Sequence, residues 1–209
     1  MKSSRVLIFG DSIGQGFYDE VNGGWVQRLQ REYIAKDIAG ESEINIINLS
    51  VSGHSSNEVL DRIESEAKSR AKEDVLTILA IGTNDTYERD GARRTDEANF
   101  ERNITEIIKT AKTFGEVIVV GLNACVDERV QPTAWDRTLA YKNELLRRYE
   151  KILESVAKLN NVDFIPLWEI TNEAQINVET LPDGIHPNAQ GHEIIYNEVK
   201  KKLAERIDE

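Results

Sequence analysis

Val6-Leu7-Ile8-Phe9-Gly10-Asp11-Ser12 is four apolar residues running into Gly-Asp-Ser. An uninterrupted apolar run does not alternate, so it predicts a strand covered on both faces, as in a parallel sheet. Gly10 permits a tight turn at the strand's end, and Ser12 then opens whatever follows. Four further runs have the same character: Ile44–Asn48, Val75–Ile81, Val117–Gly121 and Asp163–Pro166.

Helical patterns separate these runs. Phe100, Ile104, Ile107, Ile108, Ala111 and Phe114 recur at the spacing of one buried stripe. So do Leu145, Tyr149, Ile152, Leu153, Val156 and Leu159, and then Ile194, Ile195, Val199, Leu203 and Ile207. Ser55-x-x-Glu58 predicts a capping box opening a helix through Val59, Ile63 and Ala67. A further helix is expected near Trp25–Ile34. Strands alternating with helices imply right-handed crossovers, hence an α/β fold: a three-layer α/β/α sandwich on a five-stranded parallel sheet. Leu122–Trp135 is the longest stretch without periodicity, and is either a substrate wall or plain surface.

With 209 residues, one domain over 1–209 is expected. A chain of this size buries roughly 70% of its unfolded surface, enough for a core without staples. Cys125 is the single cysteine and reads as inert, consistent with a reducing compartment. Neither an export signal nor a membrane span is read, so a soluble, cytoplasmic protein without stable membrane association is expected. The net charge of −11 disfavours nucleic acid as a partner, because phosphates need a basic face.

In an open parallel sheet, ligands bind at the carboxyl ends of the strands. Ser12 follows the first strand, Gly53 lies after the second, Asn84 follows the third, and Asp183 and His186 come after the fifth. Ser12 is the candidate nucleophile, since a serine hydroxyl beside a base becomes reactive. His186 is the candidate base, one of three histidines. Asp183, three residues earlier, can accept its Nδ1–H and leave Nε2 facing Ser12. The backbone N–H groups of Ser12 and Gly53 and the side-chain amide of Asn84 are candidate oxyanion donors.

Taken singly, each residue has a plainer explanation. Ser12 could be a helix N-cap, Gly53 a turn glycine, Asn84 an Asx-turn, and Asp183-Gly184 a surface turn. None of these accounts for a histidine at position 186. Asp85 reads as a loop anchor, His192 as structural, and His54 as a residue that could line the pocket. Tyr18, Trp25 and Trp135 are aromatic candidates for the same pocket, and core packing would explain buried aromatics equally well. No His/Cys/Asp/Glu cluster has metal-ligand spacing, so neither metal nor cofactor is expected.

Two other glycine motifs fit less well. The turn Gly10–Gly16 lacks the Lys-Ser/Thr of a P-loop and the spacing of G-x-G-x-x-G. Gly10-Asp11-Ser12-Ile13-Gly14 satisfies G-x-S-x-G, but nine residues precede it, whereas an α/β-hydrolase elbow follows several strands.

Phe9-Gly10-Asp11-Ser12-Ile13, Gly53, Gly82-Thr83-Asn84-Asp85 and Asp183-Gly184-Ile185-His186-Pro187 together resemble the four blocks of the SGNH hydrolase family, the GDSL-type esterases and lipases. The one departure is Ile13, where the family pattern has Leu. The resemblance implies a flavodoxin-like sandwich and ester hydrolysis through an acyl-enzyme. It assigns Ser12, His186 and Asp183 to the triad, and Ser12, Gly53 and Asn84 to the oxyanion hole. Such enzymes act on acyl-thioesters, carbohydrate acetyl groups, phospholipids and simple esters. A small-molecule ester is therefore the expected partner. No apolar segment reads as an interfacial lid, so a short acyl chain is expected, and rates rising from acetyl to octanoyl esters would contradict that. The rate should also fall below about pH 6–7, where a histidine base becomes protonated.

Overall fold

The computed structural model describes residues 5–71, 75–173 and 179–207. The first apolar run becomes β1 (Arg5–Gly10), which pairs in parallel with β2 (Asn45–Asn48) on one side and β3 (Val75–Ala80) on the other. Between β1 and β2 lie α1 (Ser12–Gln15) and α2 (Trp25–Ile38), and α3 (Ser56–Arg70) joins β2 to β3. A 3₁₀ turn (Thr83–Asp85), the short strands β4 (Glu88–Arg89) and β5 (Ala92–Arg93), and α4 (Glu97–Lys112) follow. Next come β6 (Gly115–Val120), α5 (Asp127–Val130), β7 (Leu139–Ala140) and α6 (Asn143–Leu159). β8 (Asp163–Ile165), α7 (Leu167–Glu173) and α8 (Ala189–Ile207) complete the chain.

The large sheet has five strands in the order β2-β1-β3-β6-β8, every pair parallel. This is the flavodoxin-like order, and its direction reverses between β1 and β3. β1 shows why the run reads as continuous. Val6 and Ile8 pack with Trp25, Leu29, Ile195 and Val199 from α2 and α8. Leu7 and Phe9 pack with Val59, Ile63, Phe100, Ile104 and Leu153 from α3, α4 and α6. Both faces are covered, so neither can be polar.

The capping box forms as read: Ser55 accepts from the Asn57 amide, and Glu58 accepts from the Ser55 amide. Two ends of the predicted stripes differ. Phe114 lies beyond the end of α4, half-buried, although it still packs against the same core. Leu159 sits in the last turn of α6 and is 74% exposed, where the chain turns toward β8. The side chain of Ile207 lies outside the described residues.

A second sheet was not anticipated. β4, β5 and β7 form a three-stranded antiparallel sheet in the order β5-β4-β7. No helix among the described residues is long and apolar enough to cross a membrane.

Candidate active site

The turn after β1 is crowded. A Cβ on Gly10 would meet the Ser50 hydroxyl at 2.8 Å and the Ala80 carbonyl at 3.1 Å. Asp11 then caps α1, accepting from the Ile13 amide at 2.9 Å, which places Ser12 at the first helical position. Ser12 is nearly buried, at 7% exposure.

The turn before α8 supplies the partner. Asp183 uses one oxygen to accept from the amides of Ile185 (3.0 Å) and His186 (2.8 Å). Its other oxygen lies 2.6 Å from His186 Nδ1. A carboxylate only accepts, so Nδ1 carries the proton, and Nε2 is left to accept from the Ser12 hydroxyl at 2.8 Å. Burial would raise the pKa of Asp183, but the hydrogen bond and charge of His186 and the two amides outweigh it and hold the carboxyl below its usual value.

Gly53 and Asn84 reach the same cleft as Ser12, Asp183 and His186, so all five predicted residues line one cavity of about 1020 Å³, its open mouth included. The amides around Gly53 are taken: Val51 N donates to Gly10 O, Ser52 N to Gln15 Oε1, and His54 N to Val51 O. Ser12 N and Gly53 N have no partner among the described residues. Asn84 Nδ2 donates to His54 O at 3.0 Å and makes only a long 3.5 Å contact with Asp11. Its amide is oriented by Tyr141, whose hydroxyl donates to Oδ1 at 3.0 Å. Burial pushes the Tyr141 phenol well up, so this donor keeps its proton.

The secondary candidates separate. Asp85 is a loop anchor, accepting from the amide and hydroxyl of Ser56. Burial pushes both Asp11 and Asp85 up to about 6. Tyr18 stacks on the His186 ring (5.4 Å between centroids, 9° between planes), and Trp135 lies 6.0 Å away. Trp135 thus puts the end of Leu122–Trp135 in the cleft wall. Trp25 does not join them, because it opens α2 and is buried in the core. His54 contributes its carbonyl to Asn84, but its ring does not line the cleft. His192 is fully buried on α8, with Nδ1 3.4 Å from the Trp25 amide and Nε2 3.0 Å from Phe17 O. It therefore ties down the loop that carries Phe17 and Tyr18. The Cys125 thiol is buried beside Asp127, and burial pushes its pKa well up. No group of three metal-ligating side chains occurs among the described residues.

The profile of the GDSL-like Lipase/Acylhydrolase family matches residues 8–194. The chain belongs to this family. Among its relatives is esterase TesA of Pseudomonas aeruginosa, 23% identical over 88% of this chain and 80% of that protein. Another is the human isoamyl acetate-hydrolyzing esterase 1 homolog, 21% identical over 97% of this chain and 82% of that protein. Two solved structures share the fold, each with a TM-score of 0.74. One is an acetyl xylan esterase variant from Geobacillus stearothermophilus, 16% identical, covering 97% of this chain and 96% of that one. The other is a lipase/acylhydrolase from Enterococcus faecalis, 22% identical, covering 99% and 97%. As a GDSL-type esterase the chain is an enzyme.

Sequence reasoning missed several residues of this GDSL-type cleft. Phe17, Tyr87, Arg89, Arg94, Leu139 and Tyr141 also line it. Five of the six lie on or beside β4, β5 and β7, and two-residue strands are too short to leave a periodic signal.

Proposed function

We propose that the protein is a serine esterase hydrolysing a soluble short-chain carboxylic ester through an acyl-enzyme. The observation that carries this reading is the continuous line Ser12 Oγ–His186 Nε2 (2.8 Å) and His186 Nδ1–Asp183 Oδ2 (2.6 Å). It joins residues 174 positions apart in the chain, so we take residues 1–209 as one catalytic unit. In the proposed cycle Ser12 Oγ attacks the ester carbonyl while its proton passes to His186 Nε2. The new oxyanion is met by the unpartnered amides of Ser12 and Gly53 and by the weakly held second N–H of Asn84. Collapse expels the alcohol, which takes the proton from His186, and leaves the acyl group on Ser12. Water then attacks the acyl carbon, gives one proton to His186, and releases the acid as Ser12 regains its hydrogen. Asp183 holds the imidazole throughout.

The test needs no knowledge of the substrate. A fluorophosphonate should add to Ser12, located by intact mass and peptide mapping, and His186→Ala should abolish the adduct. Folded wild-type protein that stays unmodified would sink the reading.

A second reading within the same chemistry is favoured by one observation. Phe17, Tyr18 and Trp135 stand 43%, 50% and 49% exposed around His186. Flat aromatic faces beside an open polar cleft suit a sugar ring, so a carbohydrate O-acetyl ester is the alternative substrate.

A further inference from the structure

Arg94 follows β5 and has no part in the chemistry described above. Its guanidinium crosses to the loop after β2, where Nη1 donates to Gly53 O at 2.8 Å. Nη2 donates to Glu58 Oε1 at 2.6 Å, and the group lies 5.2 Å from the centre of the Tyr87 ring. Glu58 is itself fixed by the capping box of α3. Burial works against its charge, but the hydroxyl and amide of Ser55 and the Arg94 guanidinium outweigh it and hold the carboxyl down to about 2. The cation is thus clamped between the first turn of α3 and the carbonyl of Gly53.

Gly53 needs such a clamp. His54 N donates to Val51 O, so Val51–His54 is a turn with Gly53 at its third position and φ of +78°. A turn of this kind converts to its neighbouring type by rotating the central peptide, and that peptide carries the Gly53 N–H. No atom of the described residues lies within 4 Å of where a Gly53 Cβ would stand, so no packing holds that side of the residue. The peptide that carries this N–H makes no hydrogen bond of its own among the described residues, so it is held only through its neighbours: Ser52 N to Gln15 on one side, and His54 N to Val51 O and Arg94 to Gly53 O on the other, of which only the last brings a charge.

We infer that Arg94 is a positioning residue, which by holding the Gly53–His54 peptide fixes where Gly53, and with it the Gly53 N–H, stands beside Ser12. This rests on the esterase reading above, with Gly53 N–H as an oxyanion donor. A donor out of place costs turnover and leaves ground-state binding nearly untouched.

The test compares wild type, Arg94→Ala, Arg94→Lys and Glu58→Gln on p-nitrophenyl acetate, with the fluorophosphonate rate at Ser12 measured in parallel. Arg94→Ala should lose roughly 10- to 100-fold in kcat, with KM changed less than about threefold. The phosphonylation rate should fall in step. Free guanidinium should restore part of the loss, and Arg94→Lys should fall between, since an ammonium cannot reproduce both bonds. If Arg94→Ala does not fold, Glu58→Gln carries the test with a smaller loss in the same direction. A rise in KM alone would overturn the inference and make Arg94 a substrate contact, and unchanged kcat would overturn it outright. Wild type that the fluorophosphonate fails to label would instead overturn the esterase reading, and this inference with it.

Discussion

The five-stranded sheet and the three-stranded sheet both face the cleft, and they are built on opposite terms. At the edge of the large sheet, Asp11, Ser12, Asn84 and Asp85 are all under 10% exposed, each held by hydrogen bonds, Asp11 as the cap of α1 and the others across to neighbouring loops. On the small sheet's side, the Arg89 side chain is 52% exposed and Trp135 49%, and each strand is two residues long. On the esterase reading, groups that must keep sub-ångström geometry stand on buried structure, and groups that would meet the substrate stand where they can vary without unsettling the core.

The largest effect expected is at the buried edge. Asp183→Asn should lower kcat on p-nitrophenyl acetate by about 10³- to 10⁴-fold, because an amide no longer fixes the Nδ1 tautomer. The melting temperature should move little, since the turn keeps one acceptor oxygen. A loss below tenfold would break the comparison, because it would mean the edge tolerates the imprecision assigned here to the wall.

The next effect sharpens the contrast in stability. Glu150, on α6, is 4% exposed; one oxygen accepts from the Trp168 amide and the other has no partner among the described residues. Burial is the main cause that pushes its carboxyl up to about 8. A raised carboxyl binds its proton more tightly in the folded state than in the unfolded chain. Stability is therefore full below the unfolded value near 4.3 and falls as the pH rises toward about 8. Asp11 and Asp85, raised to about 6, act in the same direction. Glu58, held near 2, acts in the opposite sense: its contribution is full above its unfolded value of about 4.5 and is lost as the pH falls toward 2. Glu150→Gln should remove on the order of 2 kcal/mol of the decline between pH 5 and 8, read by denaturant melts at both pH values. A variant whose decline matches wild type would show that Glu150 ionises freely where it lies.

How much was legible follows the same division. The inner strands could be read because burial on both faces leaves them nearly free of polar residues, as in Val6–Phe9, and the edge strand β2 still carries Ile46 and Ile47 between its two asparagines. Asp183 and His186 could be read because a carboxylate three positions before a histidine is a local pattern with a chemical reason. Tyr141 and Arg94 could not. Tyr141 reaches Asn84 across 57 positions, and Arg94 reaches Gly53 across 41. Strand pairs of two residues carry no alternation. For Trp25 the pocket and the core were equal readings because its residue type fits both, and only its burial at the start of α2 decides between them.

The smallest effect belongs to the wall. Trp135 stands half exposed, 6.0 Å from His186, and belongs to neither core cluster, so its removal should cost little stability. Trp135→Ala should raise KM by about three- to tenfold for an acetylated sugar, since an exposed aromatic contact is worth on the order of 1 kcal/mol. For p-nitrophenyl acetate the shift should be smaller, and kcat should hold for both. A shift confined to the sugar ester would favour the carbohydrate reading over the simple ester. Equal shifts would make Trp135 a general apolar wall. A fall in kcat with KM unchanged would show that this side also sets the geometry of His186, and the division between the two sheets would fail at that point.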